Sequence, residues 1–296
     1  MRSLTCFIAA GMFAVAAFPA QAGAAAYVEA FDTLYQIDLA SHQATAIGPA
    51  GSYGSTPIAN ISGLAALSDG SLYAIWGSYN LLLKIDPATG KATPVGALNI
   101  SGSALDFSLA ADSNDMLWLS SGVLKQLWTV DKNTGATTLI GATGHPLAGL
   151  AAHGTTLYGS GDTTDHGFYR IDTTSGAATL IGDFGSAAPA YLNSVAMSFD
   201  TTGTLWAVLD YMPPATGTTV PDWNDLARID PATGVLTNLG PITGPDTLKQ
   251  IGMKGFTLTL ADPPASTPIR SPWMLGLLGL LLAAAGLRTW RARTSR

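Results

Sequence analysis

Aspartate is the residue whose spacing in this chain most invites chemistry. The stretch RIDPATGVLTNLG, Arg228 to Gly240, sets a carboxylate, a threonine and two glycines as tightly as a metal or phosphate loop would. A second acidic group stands in LDYMPPATGTTVPDWNDL, Leu209 to Leu226, where Asp210, Tyr211, Asp222, Trp223 and Asp225 form a set suited to a sugar or a cation. A third, GSGDTTDHG, holds Asp162, Asp165 and His166. Its oxygen-rich spacing suits calcium, although it lacks the glycine and closing glutamate of an EF-type loop, and a polar loop is the plainer reading. A divalent cation is therefore the one cofactor these acids suggest. The four histidines, His42, His145, His153 and His166, show no metal-ligand spacing such as H-x-x-x-H. No nucleophile elbow, phosphate loop or dinucleotide fingerprint occurs either, so no catalytic constellation is visible.

The first of these groups is not unique. Five segments align without a gap, with aspartates at Asp38, Asp86, Asp131, Asp172 and Asp230. Each aspartate is followed three residues later by Ser or Thr, seven later by Thr and ten later by Gly, from Thr45 and Gly48 in the first unit to Thr237 and Gly240 in the last. In D-P-A-T-G the carboxylate accepts hydrogen bonds from N–H groups two and three residues on, proline presets the next φ, and glycine supplies a positive φ. A residue needed in every repeat is a turn residue, whereas catalysis needs one site. His42 replaces the glycine of the first unit, which makes that turn the least ideal.

Between these units recurs another, as in GLAALSDGSLYAIW from Gly63 and SVAMSFDTTGTLWAV from Ser194: a small-residue strand, a polar turn and an aromatic-bearing strand. The aspartate-to-aspartate steps are 48, 45, 41 and 58 residues, the length of a four-stranded β-propeller blade. The chain therefore predicts an all-β, five-bladed β-propeller over residues 23–262, with six blades as the alternative if the 58-residue step hides irregular strands. Residues 24–48 supply only the later strands of a blade, and Gln250 to Leu260 resembles the missing early part, so the two ends should close one blade together. Tyr73, Trp118, Tyr158 and Trp206 occupy equivalent places in second strands and should pack between blades. His153, in a short turn, should be solvated. Binding residues should come from the variable loops on the face opposite Asp230, above all the long insertion.

Composition narrows the function. Of 296 residues 47% are hydrophobic and 11% charged, which suits a large core and argues against disorder. Between Gly23 and Asp262 lie all 20 acidic residues and 8 of the 14 basic ones, a formal charge of −12, so nucleic acid is excluded as a natural partner. Residues 1–22 carry a basic start, a short apolar run and the small-residue end AQA, the parts of a signal peptide. Cys6 lies inside that segment, so the mature chain should have neither disulfides nor a thiol nucleophile. After a Pro-rich linker, residues 263–272, comes an apolar helix and an arginine tail, residues 273–296, expected to engage the membrane with the C-terminus in the cytoplasm.

That tail resembles the C-terminal sorting signals of Gram-negative bacteria known as the PEP-CTERM class and its IPTL variant. The likeness rests on Pro268, Ile269, Trp273, the Leu/Ala/Gly helix and Arg288, Arg291 and Arg293, with PIRSPW in place of the usual short motif. It implies processing by an exosortase-type enzyme and display at the cell surface or in extracellular matrix, after transient anchoring in the inner membrane. The repeat itself resembles those of secreted bacterial propellers of uncharacterised function. The expectation is a non-enzymatic binding or scaffold module, with a glycan or a surface protein as partner. Two alternatives stand beside it: a hydrolase or lyase acting on a sugar or lactone with a divalent cation, and a carbohydrate-binding propeller.

Overall fold

A computed structural model describes residues 25–102, 105–185, 192–211, 224–245, 248 and 251–259. The expected leader, linker and sorting tail lie outside the described residues, as do Asp222 and Trp223. Among the described residues no helix is long and apolar enough to cross a membrane.

Four-stranded antiparallel sheets form five times, each a blade. Blade one combines Met253–Leu258, from the C-terminal end, with Ala26–Ala30, Thr33–Asp38 and Gln43–Pro49. Blade two is Ile61–Ala66, Leu72–Trp76, Leu81–Ile85 and Ala92–Ala97. Blade three is Phe107–Ala111, Leu117–Ser121, Gln126–Val130 and Thr137–Ala142. Blade four is Leu147–His153, Thr156–Gly161, Gly167–Ile171 and Ala178–Asp183. Blade five is Leu192–Phe199, Leu205–Tyr211, Asn224–Ile229 and Leu236–Pro241. The 58-residue step holds one blade, which decides five over six. A small hairpin, Ser52–Tyr53 with Thr56–Pro57, decorates the crossing from blade one to blade two.

The innermost strands pack in a ring, each against the next, and the ring closes between blades five and one. Closure is stitched by hydrogen bonds. Ala25 N donates to Thr259 Oγ1 at 3.1 Å, and Thr259 N donates to the Ala25 carbonyl at 2.9 Å. Asn224, 3% exposed, donates from Nδ2 to the Ile251 carbonyl at 2.8 Å and accepts from Met253 N at 2.9 Å, tying the third strand of blade five to the chain end that completes blade one.

Second strands are buried along their whole length in blades one, two, three and five, because sheets stack on both of their faces. The core is accordingly five wedges, one between each pair of neighbouring blades. Tyr73 packs into the wedge against blade three, Trp118 against blade four, Tyr158 against blade five and Trp206 against blade one. Burying each such large side chain contributes about 1.5–3 kcal/mol. Two of the rings are also tethered: the indole N–H of Trp118 donates to Asp112 at 3.1 Å and that of Trp206 to Asp200 at 2.9 Å.

The five aspartates cap their hairpins. Asp86 Oδ1 accepts from Ala88 N at 2.9 Å and Oδ2 from the Thr89 hydroxyl at 2.7 Å, and Asp38, Asp131, Asp172 and Asp230 each accept from the N–H two residues on. The repeat glycines have a second role that the local pattern does not reveal. The glycine ten residues after each aspartate lies against the turn glycine of the next blade: Gly48 on Gly90, Gly96 on Gly135, Gly141 on Gly176 and Gly182 on Gly234. A side chain at Gly96 would run into the Thr134 carbonyl, and one at Gly182 into the Thr233 carbonyl. Gly240, the fifth, has no such neighbour, because the next turn carries His42 with φ of 59°. That seam keeps backbone bonds, Thr243 N to the His42 carbonyl at 3.0 Å and Ala44 N to the Thr243 carbonyl at 2.7 Å, the second matching Ala92 N to the Ala50 carbonyl and Ala178 N to the Thr143 carbonyl at other seams.

Candidate functional site

Loops that join second to third strands, and crossings from one blade to the next, emerge on the face opposite the aspartate turns. On this face a cavity of about 420 Å³ opens beside the channel, lined by Asn60, Ser62, Gly77, Ser78, Leu105, Asp106 and Lys254. Asn60 and Asp106 stand just before the innermost strands of blades two and three with φ of 57° and 48°, a conformation that Asn and Asp tolerate better than most residues. Lys254 is the bulged residue between two register pairs, Glu29 with Gly255 and Ala30 with Met253. Its ammonium reaches 3.6 Å from Asp106 Oδ1, bridging from blade one to blade three, and both side chains keep over a third of their surface in solvent.

Asp210, from the second strand of blade five, is a third charge coupled to this pair from behind the cavity lining. It is 1% exposed, and Asn193 Nδ2 donates to its Oδ2 at 2.7 Å while Ser194 Oγ lies 3.4 Å from the same oxygen. Its other oxygen lies so close to Gly252 that a side chain there would meet it at 2.6 Å. Burial pushes the Asp210 carboxyl up to about 6, against the pull of Asn193, Lys254 and Ser194, and Asp106 adds to the rise. Charges from blades one, three and five thus act on one another at the channel mouth.

The described members of the long-loop set, Asp210, Tyr211 and Asp225, do not gather. Residues 209 and 225 are register partners, so Asp225 and Tyr211 lie on one face of the blade-five sheet and Asp210 on the other. Tyr211 Oη donates to Asp225 Oδ2 at 2.6 Å, and Asn238 Nδ2 donates to the same oxygen at 2.7 Å. Tyr211 packs toward blade four while the Asp210 carboxylate abuts Gly252 of the closing segment.

Asp162 and Asp165 also part company. Asp162 Oδ1 accepts from the N–H and hydroxyl of Thr164, at 2.8 and 2.7 Å, within its own turn. Asp165 instead anchors a cluster: His145 Nδ1 lies 2.9 Å from Oδ2, and the Tyr169 hydroxyl donates to Oδ1 at 2.6 Å. Burial raises the Asp165 carboxyl, but the bonds from Tyr169, His145 and Gly167 outweigh it and leave its pKa low, whereas burial and Asp165 push the Tyr169 phenol up. This cluster edges an open groove of about 510 Å³ that also includes His166 and Asp183. Among the described residues no three of His, Cys, Asp and Glu come together to hold a metal ion. His153 is exposed, as expected, yet its ring stacks on Phe199 with centroids 4.9 Å apart.

Sequence reasoning passed over Asp106 and Lys254. A usable signal existed: Lys254 is the only Lys, Arg, Asp or Glu in the five innermost strands. It also passed over Glu29, the only glutamate of the chain. Glu29 is wholly buried in the second strand of blade one, neither carboxyl oxygen has a hydrogen-bond partner among the described residues, and burial, with Asp32 adding, pushes its pKa up to about 8.

No protein family and no curated protein matches this chain. Solved structures do. A chain of the nidogen/laminin complex is similar with a TM-score of 0.52 at 12% identity, over 81% of this chain and 100% of that one. A protein of unknown function from Bacteroides thetaiotaomicron VPI-5482 is similar over 62% of this chain at 17% identity, TM-score 0.47. The present chain spans about half that protein's length, 53%. Virginiamycin B lyase from Staphylococcus aureus follows at 16% identity over 77% of this chain and 72% of that one, TM-score 0.43. At such identities a likeness is one of fold, and the first of these supports the β-propeller.

Proposed function

We propose that the protein is an exported, surface-displayed β-propeller that serves as a non-enzymatic binding module, taking its ligand at the channel mouth. The observation that carries this reading is the cavity of about 420 Å³ in which Lys254 and Asp106 face each other from different blades. Ligand sites favour concave places where a few polar groups converge from a rigid scaffold. The five stacked blades supply that rigidity, and the varied loops of this face supply the chemistry. Export and display rest on the leader and the tail resembling a PEP-CTERM signal, with an exosortase-type enzyme as the processing partner.

The test pairs location with retention. Protease treatment of intact cells should remove the propeller, and the full-length chain should be retained on cell-envelope material. Asp106→Asn and Lys254→Met should each lose that retention while melting at the temperature of the parent. Retention unchanged in both variants would remove the channel mouth from consideration.

A second reading, a hydrolase or lyase, draws on the Asp210 carboxyl, which at a pKa of about 6 sits in the range of a general acid or base beside Lys254. Turnover of a lactone or glycoside that disappears in Asp210→Asn would put this reading first.

A further inference from the structure

Tyr79 immediately follows Gly77 and Ser78 of the cavity wall, and the residue is 54% exposed. It is nevertheless held: the buried Trp76 ring lies against it with centroids 4.2 Å apart and planes 43° apart. An exposed aromatic fixed in place beside a polar cavity offers an apolar plate at little entropic cost. The cavity offers the complement. Asp106 accepts, Lys254 donates, and Asn60, Ser62 and Ser78 do both. At 3.6 Å Lys254 and Asp106 stand beyond ordinary hydrogen-bond reach, so one hydroxyl can accept from the ammonium while donating to the carboxylate.

We propose that the ligand of the channel mouth is a neutral carbohydrate, one sugar face resting on Tyr79 and its hydroxyls bonded to Asn60, Ser62, Ser78, Asp106 and Lys254. This deepens the binding-module reading and rests on it. A sugar combines what the site combines, an apolar C–H face and hydroxyls that donate and accept. Charge favours the neutral kind over an anionic one. A formal charge of −12 between Gly23 and Asp262 repels a polyanion at long range, and the Asp106 carboxylate repels an anion locally, while its pairing with Lys254 partly neutralises it toward a cation.

The rim extends the platform. Phe31, 53% exposed, accepts at its carbonyl from Ile61 N at 3.0 Å, next to Asn60. Val123, 59% exposed, follows Gly122, where a side chain would lie 3.4 Å from Asp106 Oδ2. Exposed apolar residues thus stand on the second-to-third-strand loops of blades one, two and three, placed to meet further units of a chain.

The experiment is isothermal titration of the full-length chain in mild detergent with maltohexaose, cellohexaose, laminarihexaose and xylohexaose, and with hexagalacturonate as the acidic comparison. At least one neutral hexasaccharide should bind. Tyr79→Ala should weaken it about tenfold, equivalent to about 1.4 kcal/mol, Asp106→Asn comparably, and Tyr79→Phe should keep most of the affinity. Binding of hexagalacturonate alone, lost in Lys254→Met, would overturn the neutral-sugar assignment and leave the mouth as the binding site. Silence toward every sugar, with a protein captured from envelope material and released by Asp106→Asn, would do the same. Sugar binding indifferent to Tyr79→Ala and Asp106→Asn would overturn both readings.

Discussion

Lys254 and Asp106 face each other at 3.6 Å, one from the innermost strand of blade one and the other from the entry to blade three. Blades three to five lie between them in sequence and blade two between them around the ring, and only the curvature of the ring lets the two side chains meet. The partly exposed pair should matter little to stability, at most about 1 kcal/mol. Lys254→Met and Asp106→Asn should therefore unfold in urea within that margin of the parent, while ligand retention falls in both. A loss of several kcal/mol would recast the pair as a strut of the channel.

Glu29 sets the alkaline side of the stability curve. Its pKa rises from 4.5 to about 8 on folding, so the folded state holds the proton more tightly than the unfolded chain does. The stabilising contribution is complete below 4.5 and is lost as pH rises through about 8. Unfolding free energies from urea titrations should fall between those limits with a slope approaching about 1.4 kcal/mol per pH unit, and Glu29→Gln should flatten the curve and be the more stable protein at pH 8.

The turn aspartates set the acid side. Asp38, Asp86, Asp172 and Asp230 have pKa values lowered from 3.8, chiefly by hydrogen bonds from the Ser41 backbone, the Thr89 side chain, the Thr174 side chain and the Ala232 backbone respectively. Their contribution is present above 3.8 and lost as pH falls through the lowered values. With Glu29 acting in the opposite sense, circular-dichroism melts taken across pH should peak near pH 5 and fall on both sides.

The glycine seam makes a positional prediction. Gly96→Ala and Gly182→Ala place a methyl group against the carbonyls of Thr134 and Thr233, and should each cost about 2 kcal/mol or more through overpacking. Gly240→Ala meets no neighbour but must hold φ of 109°, so its cost should come from backbone strain alone and be the smallest of the three. Guanidinium titrations of the three variants would check the order.

Ring closure depends on Asn224. Asn224→Ala strips a part-buried carbonyl at Ile251 and a buried N–H at Met253 of their partners, the second at about 1–3 kcal/mol and the first at less. Hydrogen exchange should then quicken first in Met253–Leu258 and Ala26–Ala30, where the ring is joined, before blades two to four respond.

Local pattern carried the blades. Strand length, the aspartate turn and the second-strand aromatics recur with the repeat, and each is a short-range preference that the repeat multiplies fivefold. The glycine ten residues after each aspartate was visible as a repeat, yet its cause was not, because its neighbour is the turn of the following blade. The long acidic insertion drew attention through composition alone. Strand alternation then sends Asp210 to one face of its sheet and Asp225 with Tyr211 to the other, which divides the set.

The sequence by itself determined the blade repeat, its closure by both chain ends and the face on which variable loops would open, since periodicity and turn chemistry act within a few residues, while the structure settled five blades over six. Only the tertiary structure decided which charges share the channel mouth. Asp106, Lys254 and Asp210 are separated by more than a hundred residues in part and meet because a closed ring converts distance along the chain into angle around an axis. It alone also revealed that Glu29 is buried without a partner among the described residues, because desolvation depends on the neighbouring blade.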